Sequence, residues 1–249
     1  MINALLWGLL ATSSLILGGF IATRVKLSKR IIGVILGFGA GTLISAISYE
    51  LVFEAVQLGQ KSGSAAYGFF TGALVFFGAD RLIEHFGSRA SISGATNKHA
   101  KLIIPMVLAI ILDGVPESIV LGLGLSKTGT ISMAMLVAVF ISNLPEAIAG
   151  STGMRASGWS RKKIFFLWFF IAIVCSLATL TGYSLFSNAS DQWMSFIQAF
   201  AGGAILMMLA NSMIPEAYEH GGKLAGVFTV LGFFVSVCIV ILERMHSVH

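Results

Sequence analysis

Apolar residues in this chain fall into eight long runs separated by short polar stretches. Each run has roughly the 20 residues that an α-helix needs to cross a bilayer, so the pattern predicts an all-α polytopic membrane protein with eight transmembrane helices. The runs lie near residues 3–23, 31–53, 66–84, 102–125, 131–152, 164–186, 196–217 and 224–242. The longest connection, 85–101, is predicted as a loop. No linker is visible, so residues 1–249 are interpreted as a single transmembrane domain.

Composition and charge support this interpretation and indicate an orientation. Hydrophobic residues make up 56% of the chain and charged residues 11%, whereas soluble domains carry about 25% charged residues. If the N-terminus lies outside, all sixteen basic residues except Lys61, Lys127 and Arg244 fall on the inner side. The positive-inside rule therefore places both termini outside. The net charge of +5 is explained by topology and not by nucleic-acid binding, and the compact loops favour a prokaryotic cell (plasma) membrane.

Four similar polar phrases interrupt the apolar runs. Each has a glutamate with an oxygen-bearing side chain four residues earlier, and in three of them proline precedes the glutamate. An ionised carboxylate inside a membrane costs about 2.5–3.5 kcal/mol, so four such insertions indicate a function. The phrases are Glu50-Leu-Val-Phe-Glu54, Asp113-Gly-Val-Pro-Glu117, Ser142-Asn-Leu-Pro-Glu146 and Ser212-Met-Ile-Pro-Glu216.

The runs also show an internal symmetry. Runs two and seven can be superposed without a gap, matching Phe38-Gly-Ala-Gly41 with Phe200-Ala-Gly-Gly203, and a Glu-Ala pair follows at the same distance in both. Runs four and five match at their Pro-Glu phrases. In the predicted orientation the members of each pair cross the membrane in opposite directions. Inverted repeats of this kind are typical of alternating-access transporters, in which the substrate binds near the midplane.

The phrases of runs four and five form the candidate binding site. Asp113 and Glu117 are four residues apart and share one helix face, as do Ser142 and Glu146, and Asn143 lies beside them. These positions fall near the middle of the two runs. The basic residues are all assigned to loops or span ends, so a bound cation is the natural counter-charge. The competing interpretation is that the carboxylates are protonated and join neighbouring helices as structural contacts.

The remaining polar positions are assigned secondary roles. Glu50 is one helical turn deeper than Glu54 and is added to the metal site. Residues nearer the span ends are interpreted as gate candidates: Glu54, Ser212, Glu216 and His220. The histidines are all interpreted as loop or terminal residues: His85, His99, His220, His246 and His249. An intramembrane zinc hydrolase needs histidine ligands within its core, so the pattern argues against an enzyme.

Taken together, these motifs resemble the ZIP (Zrt/Irt-like) family of metal transporters over essentially the whole chain. The resemblance rests on eight spans with both ends outside and on consecutive Pro-Glu phrases in spans four and five. It implies an inverted-repeat bundle in which outer spans support a moving four-helix unit, often as a homodimer. It also implies that Asp113, Glu117, Ser142, Asn143 and Glu146 bind metal as the substrate, with no separate cofactor.

The chain departs from the family at two positions where histidine is usual, now Asp113 and Ser142. The resulting set of ligands is all oxygen, which suits Mn²⁺ or Fe²⁺, whereas imidazole favours Zn²⁺ and its neighbours. We therefore expect transport of a divalent cation such as Zn²⁺, Mn²⁺, Fe²⁺, Co²⁺ or Cd²⁺, directed into the cytoplasm. The alternatives are a proton-coupled transporter of a non-metal solute and a non-transporting membrane scaffold of the same fold.

Overall fold

A computed structural model describes residues 1–60, 62–92, 98–186 and 189–246. Eight of its helices are long and apolar enough to cross a membrane, which confirms the predicted fold class. We number the helices in chain order: α1 Ile2–Arg24, α2 Lys29–Leu58, α3 Ser64–Ile92, α4 Lys98–Thr128, α5 Met133–Ala156, α6 Arg161–Leu185, α7 Asp191–Gly221 and α8 Lys223–His246.

Serine side chains mark the beginning of several of these helices. Ser28, Ser132 and Ser160 each accept a hydrogen bond from the backbone N–H three residues further on, at the starts of α2, α5 and α6. Such caps satisfy an amide that has no partner within the helix. At the tightest connection, Gly222 has φ of 59° and separates α7 from α8. Glycine adopts this left-handed conformation without a steric penalty.

Helices α3, α4 and α7 extend beyond the predicted spans, which corrects the placement of three histidines. The predicted loop 85–101 is mostly helical, because α3 continues to Ile92 and α4 begins at Lys98. His85 and His99 therefore lie on helices, and His220 lies in the last turn of α7. An apolar run marks only the part of a helix inside the membrane, whereas its hydrogen bonds can continue into water. Residues 93–97 and His249 lie outside the described part of the chain.

The eight helices form two bundles of four. Helices α1, α4, α5 and α6 pack together, and α2, α3, α7 and α8 form the other bundle. The packing follows the inverted symmetry, because α3 packs on α7 as α8 packs on α2, and α1 on α5 as α6 on α4. The two bundles meet mainly where α2 contacts α5 and where α3 and α7 contact α4. The candidate residues on α4 and α5 therefore lie beside the boundary between the bundles.

The glycines matched in the sequence repeats have the same structural role. A Cβ added at Gly41 on α2 would collide with the Thr229 carbonyl of α8, and one at Gly203 on α7 would collide with the Phe69 carbonyl of α3. Small residues allow membrane helices to approach at backbone distance. The superposed positions thus hold equivalent helix pairs together in the two halves.

The repeats share a further feature that the hydrophobic pattern does not predict. Helices α2 and α7 each contain a π-helical segment, Ile47–Val52 and Leu209–Met213. These segments occupy matching places in the two repeats and carry Glu50 and Ser212. A π turn adds a residue to a helical turn and often occurs at functional sites. It changes the direction of the polar side chains relative to the rest of the helix.

Candidate functional site

An inner cavity of about 340 Å³ contains carboxylates from three helices. Its wall includes Asp113 of α4, Glu146 of α5 and Glu216 of α7, together with the Ser212 hydroxyl. Helix α7 ends, and α4 begins, on the side that the charge pattern predicts to be cytoplasmic. The inner cavity therefore lies in the inner half of the molecule, between the two four-helix bundles.

The charges around this cavity are predominantly negative. Glu146 experiences the charges of Asp113, Glu117 and Glu216, and Asp113 experiences that of Asp80 on α3. Asp80 is missing from the residues selected by sequence, although its charge at the end of an apolar run was a visible signal. Neighbouring carboxylates repel one another in a medium of low dielectric constant. A cation is the chemical species that relieves this repulsion most directly.

A buried polar layer lies next to the inner cavity. Glu117 is 1% exposed, Asn143 is 2% exposed and Ser142 is fully buried. The Ser142 hydroxyl donates to the Val139 carbonyl at 3.1 Å, but Glu117 Oε2 and Asn143 Nδ2 have no hydrogen-bond partner within the described part of the chain. Unpartnered groups of this kind are uncommon in folded proteins. The layer is thus an incompletely satisfied polar site inside an apolar bundle.

Close packing of α2 supports this layer. A Cβ at Gly39 would lie 3.1 Å from Ser142 Cα and 2.9 Å from the Met213 side chain. No side chain fits at Gly39 unless its neighbours move, so the α2 backbone rests directly on the polar phrase of α5. The two bundles are therefore in close contact at the depth of the candidate ligands.

Cys175 on α6 also lies near this layer, although its sequence context indicates only a buried apolar residue. Its thiol is fully buried, and its charged neighbours are Glu117 and Glu146. A Cβ at Gly114 would lie 3.0 Å from the sulfur, which explains why a small residue stands next to Asp113. Nothing in the spacing of the chain indicates this proximity, because α6 carries none of the Pro-Glu phrases.

A second, smaller cavity of about 50 Å³, the outer cavity, lies in the opposite half of the molecule. Glu50 and Glu54 of α2 line it, with Gln198 of α7, Lys127 of α4 and Ser132 of α5. The predicted orientation places this cavity on the outer side. Buried side chains of α4 and α5, among them Val139 and Ser142, lie between the two cavities along these helices.

The structure therefore distributes the predicted metal residues over three depths. Asp113 and Glu146 lie at the inner cavity, the buried layer contains Glu117, Ser142 and Asn143, and Glu50 lies at the outer cavity. Among the described residues no group of three His, Cys, Asp or Glu side chains is close enough together to hold a metal ion. The assignment of these residues to one metal shell stays a prediction.

The gate candidates divide between the two ends in the same way. Glu54 lines the outer cavity, whereas Ser212 and Glu216 line the inner one. His220 follows Glu216 by one turn on α7, and its Nδ1 atom lies 3.9 Å from Glu216 Oε1. The inner end of α7 thus presents a carboxylate and an imidazole side by side.

Sequence comparison identifies relatives that align with most of this chain. No family model matches it. The chain is 24% identical to the zinc transporter ZIP11 of Bos taurus over 319 aligned positions, covering 92% of each protein. It is 24% identical to the zinc transporter ZIP11 of Xenopus tropicalis with 93% of each covered. It is 28% identical to the zinc transporter GufA of Myxococcus xanthus, covering 79% of this chain and 80% of that protein.

Proposed function

We propose that this chain, which belongs to the ZIP family of metal transporters, carries divalent metal cations into the cytoplasm along the boundary between its two helix bundles. The cation passes from the outer cavity, through the buried polar layer, to the inner cavity. Membership of the family and the eight apolar helices support an activity within a membrane. The direction follows from the predicted orientation and from the acidic inner cavity that receives the cation.

The observation that supports this proposal most strongly is the state of Glu117. Its side chain is almost entirely buried and one carboxylate oxygen has no partner, while the acidic residues Asp113 and Glu146 lie close enough to interact with it electrostatically. Removing one partner of a buried charge pair is strongly destabilising because it leaves an uncompensated charge. A transiently bound cation provides the missing partner during each transport cycle.

We assign the cation ligands from the buried layer and from the wall of the inner cavity next to it. Glu117 and Glu146 provide carboxylate oxygens, and Asn143 and Ser142 add neutral oxygens. Asp113 lines the inner cavity and accepts the cation as it leaves. Helices α4 and α5 carry all of these residues and belong to one bundle, so movement of that bundle against the other shifts the whole site at once.

The chemistry of these ligands defines the cations to examine first. Oxygen ligands suit Mn²⁺ and Fe²⁺, whereas the relatives of this chain are named zinc transporters. The proposal therefore covers Zn²⁺, Mn²⁺ and Fe²⁺. A broad selectivity agrees with carboxylate ligands, because such ligands do not impose the geometry that distinguishes one of these ions from another.

Flux into proteoliposomes tests the proposal. Purified protein should admit Zn²⁺, Mn²⁺, Fe²⁺, Co²⁺ or Cd²⁺, with the ions competing against one another. The double variant Glu117→Ala with Glu146→Ala should lose flux, whereas Glu219→Gln, an exposed glutamate outside both cavities, should retain it. Intact flux in the double variant would refute the site. Strongly pH-dependent uptake of an organic solute without competition by metal would instead support the proton-coupled alternative.

A further inference from the structure

The outer cavity contains polar groups that the proposed path does not explain. Two carboxylates, Glu50 and Glu54, share a space of about 50 Å³ with the amide of Gln198. We propose that these three side chains form an outer recruitment site that binds one divalent cation before the path opens toward Glu117. This inference rests on the proposed function, but it concerns separate residues on the other bundle.

The hydrogen bonds of Gln198 indicate what is missing from the cavity. Gln198 is 2% exposed, and its Nε2 donates to Glu54 Oε2 at 3.2 Å. That bond fixes the orientation of the amide, and among the residues that the structure describes the Oε1 atom has no hydrogen-bond partner. A buried amide oxygen requires a donor or a cation. A divalent cation satisfies it together with the two carboxylates, all of which are ligands that such ions accept.

The outer cavity is much smaller than the inner one, at about 50 Å³ against about 340 Å³. A small space lined by two carboxylates and an amide favours a single metal ion over a larger organic solute. The protein oxygens can then replace part of the hydration shell of the cation before it reaches the buried layer.

The ammonium group of Lys127 competes with an incoming cation for the two carboxylates of this site. Its ammonium-bearing side chain lines the same cavity, but within the described part of the chain it forms no ion pair with either glutamate. Arg244 and Glu243 add one positive and one negative charge near Glu50, so they nearly cancel. The glutamates therefore keep a net negative charge that an incoming cation can use, and the lysine weakens this attraction without neutralising it.

The position of the three ligands on the fold gives the site its role. Glu50, Glu54 and Gln198 lie on α2 and α7, which belong to one bundle, and the Ser195 hydroxyl fastens the two helices by donating to the Ala55 carbonyl at 2.7 Å. The residues proposed to hold the cation in the buried layer lie on the other bundle. A cation bound at the outer site is thus held by one bundle and transferred to the second when the bundles move.

Transport kinetics test the site through two variants with opposite expected effects. Gln198→Leu should raise the KM for Zn²⁺ by about tenfold with little change in the maximal rate, because one ligand is lost. Lys127→Met should lower the KM, since it removes a competing positive charge from an exposed position. Gln57→Leu is the matched control, because it makes the same change at an exposed position of α2 one turn from Glu54 that does not line the cavity.

Direct binding keeps the test independent of transport. The double variant Glu117→Gln with Glu146→Gln removes the buried carboxylates, and the purified protein should still bind one equivalent of Cd²⁺ by calorimetry. Adding Glu54→Gln should abolish that binding. If the double variant binds no Cd²⁺, or if Gln198→Leu and Lys127→Met both transport with unchanged KM, the outer site is wrong. Absence of flux in the unmodified protein would refute the proposed function, while the binding result would still decide the outer site.

Discussion

Replacing Glu117 by glutamine should raise the stability of the cation-free protein, although it removes a proposed ligand of the transported cation. The substitution keeps the shape of the side chain and removes a charge that is 1% exposed and lacks a partner at one oxygen. Insertion of one ionised side chain near mid-membrane costs about 2.5–3.5 kcal/mol. Without a cation, we therefore expect Glu117→Gln to be more stable than the unmodified protein by up to this amount.

A bound cation should reverse the order of stability of Glu117→Gln and the unmodified protein. A ligand at 100 times its dissociation constant stabilises the protein that binds it by about 2.7 kcal/mol, so the unmodified protein should gain stability in Zn²⁺ or Mn²⁺. Glu117→Gln should gain much less, because it has lost a ligand. In a chain of this size 1 kcal/mol corresponds to about 2–4 °C in Tm, so both differences are large enough for thermal unfolding in detergent micelles.

The assay is a set of six melting curves, for the unmodified protein, Glu117→Gln and Glu219→Gln, each with and without the cation. Glu219→Gln is the control, since Glu219 is exposed and removal of its charge should change neither Tm nor the response to cation. The reasoning is refuted if Glu117→Gln melts below the unmodified protein without cation and still shows the full cation-induced increase. That outcome would make Glu117 a structural residue of the bundle and not a ligand.

Three further measurements address the fold. Gly203→Ala should lower Tm because its Cβ would collide with a backbone carbonyl of α3, whereas Gly226→Ala, which faces open space, should be tolerated. Glu243→Gln should speed hydrogen exchange in the first turn of α5, because the Glu243 carboxylate accepts from two backbone amides there and such caps are worth about 0.5–2 kcal/mol. In a background without the native cysteines, an impermeant maleimide should label Ser190→Cys in intact cells but Ser160→Cys only after permeabilisation, and the reverse result would contradict the predicted orientation.

The candidate site could be predicted in part because carboxylates in apolar runs are conspicuous. Their cost in a membrane is enough to single out Asp113, Glu117 and Glu146 from the amino-acid sequence alone. Asp80 is also a carboxylate next to an apolar run, but it lies at the end of that run. Solvation there lowers the free-energy cost of the charge, so Asp80 stands out less from its surroundings. Cys175 carried no signal, because a thiol is inconspicuous in an apolar segment and its neighbours are distant in the chain.

The amino-acid sequence alone was sufficient to predict the number of membrane spans, the inverted repeats and the residues whose burial requires compensation. These properties follow from local composition and from the spacing along single helices, so no contact between helices is needed to recognise them. The packing of the helices sets how the polar residues are grouped, and it is seen only in the structure. It divides the predicted metal residues among an outer cavity, a buried layer and an inner cavity, since the grouping depends on which helices pack together. The structure also shows the π-helical segments that reorient Glu50 and Ser212. The hydrophobic pattern does not predict them, because one added residue in a helical turn does not change that pattern visibly.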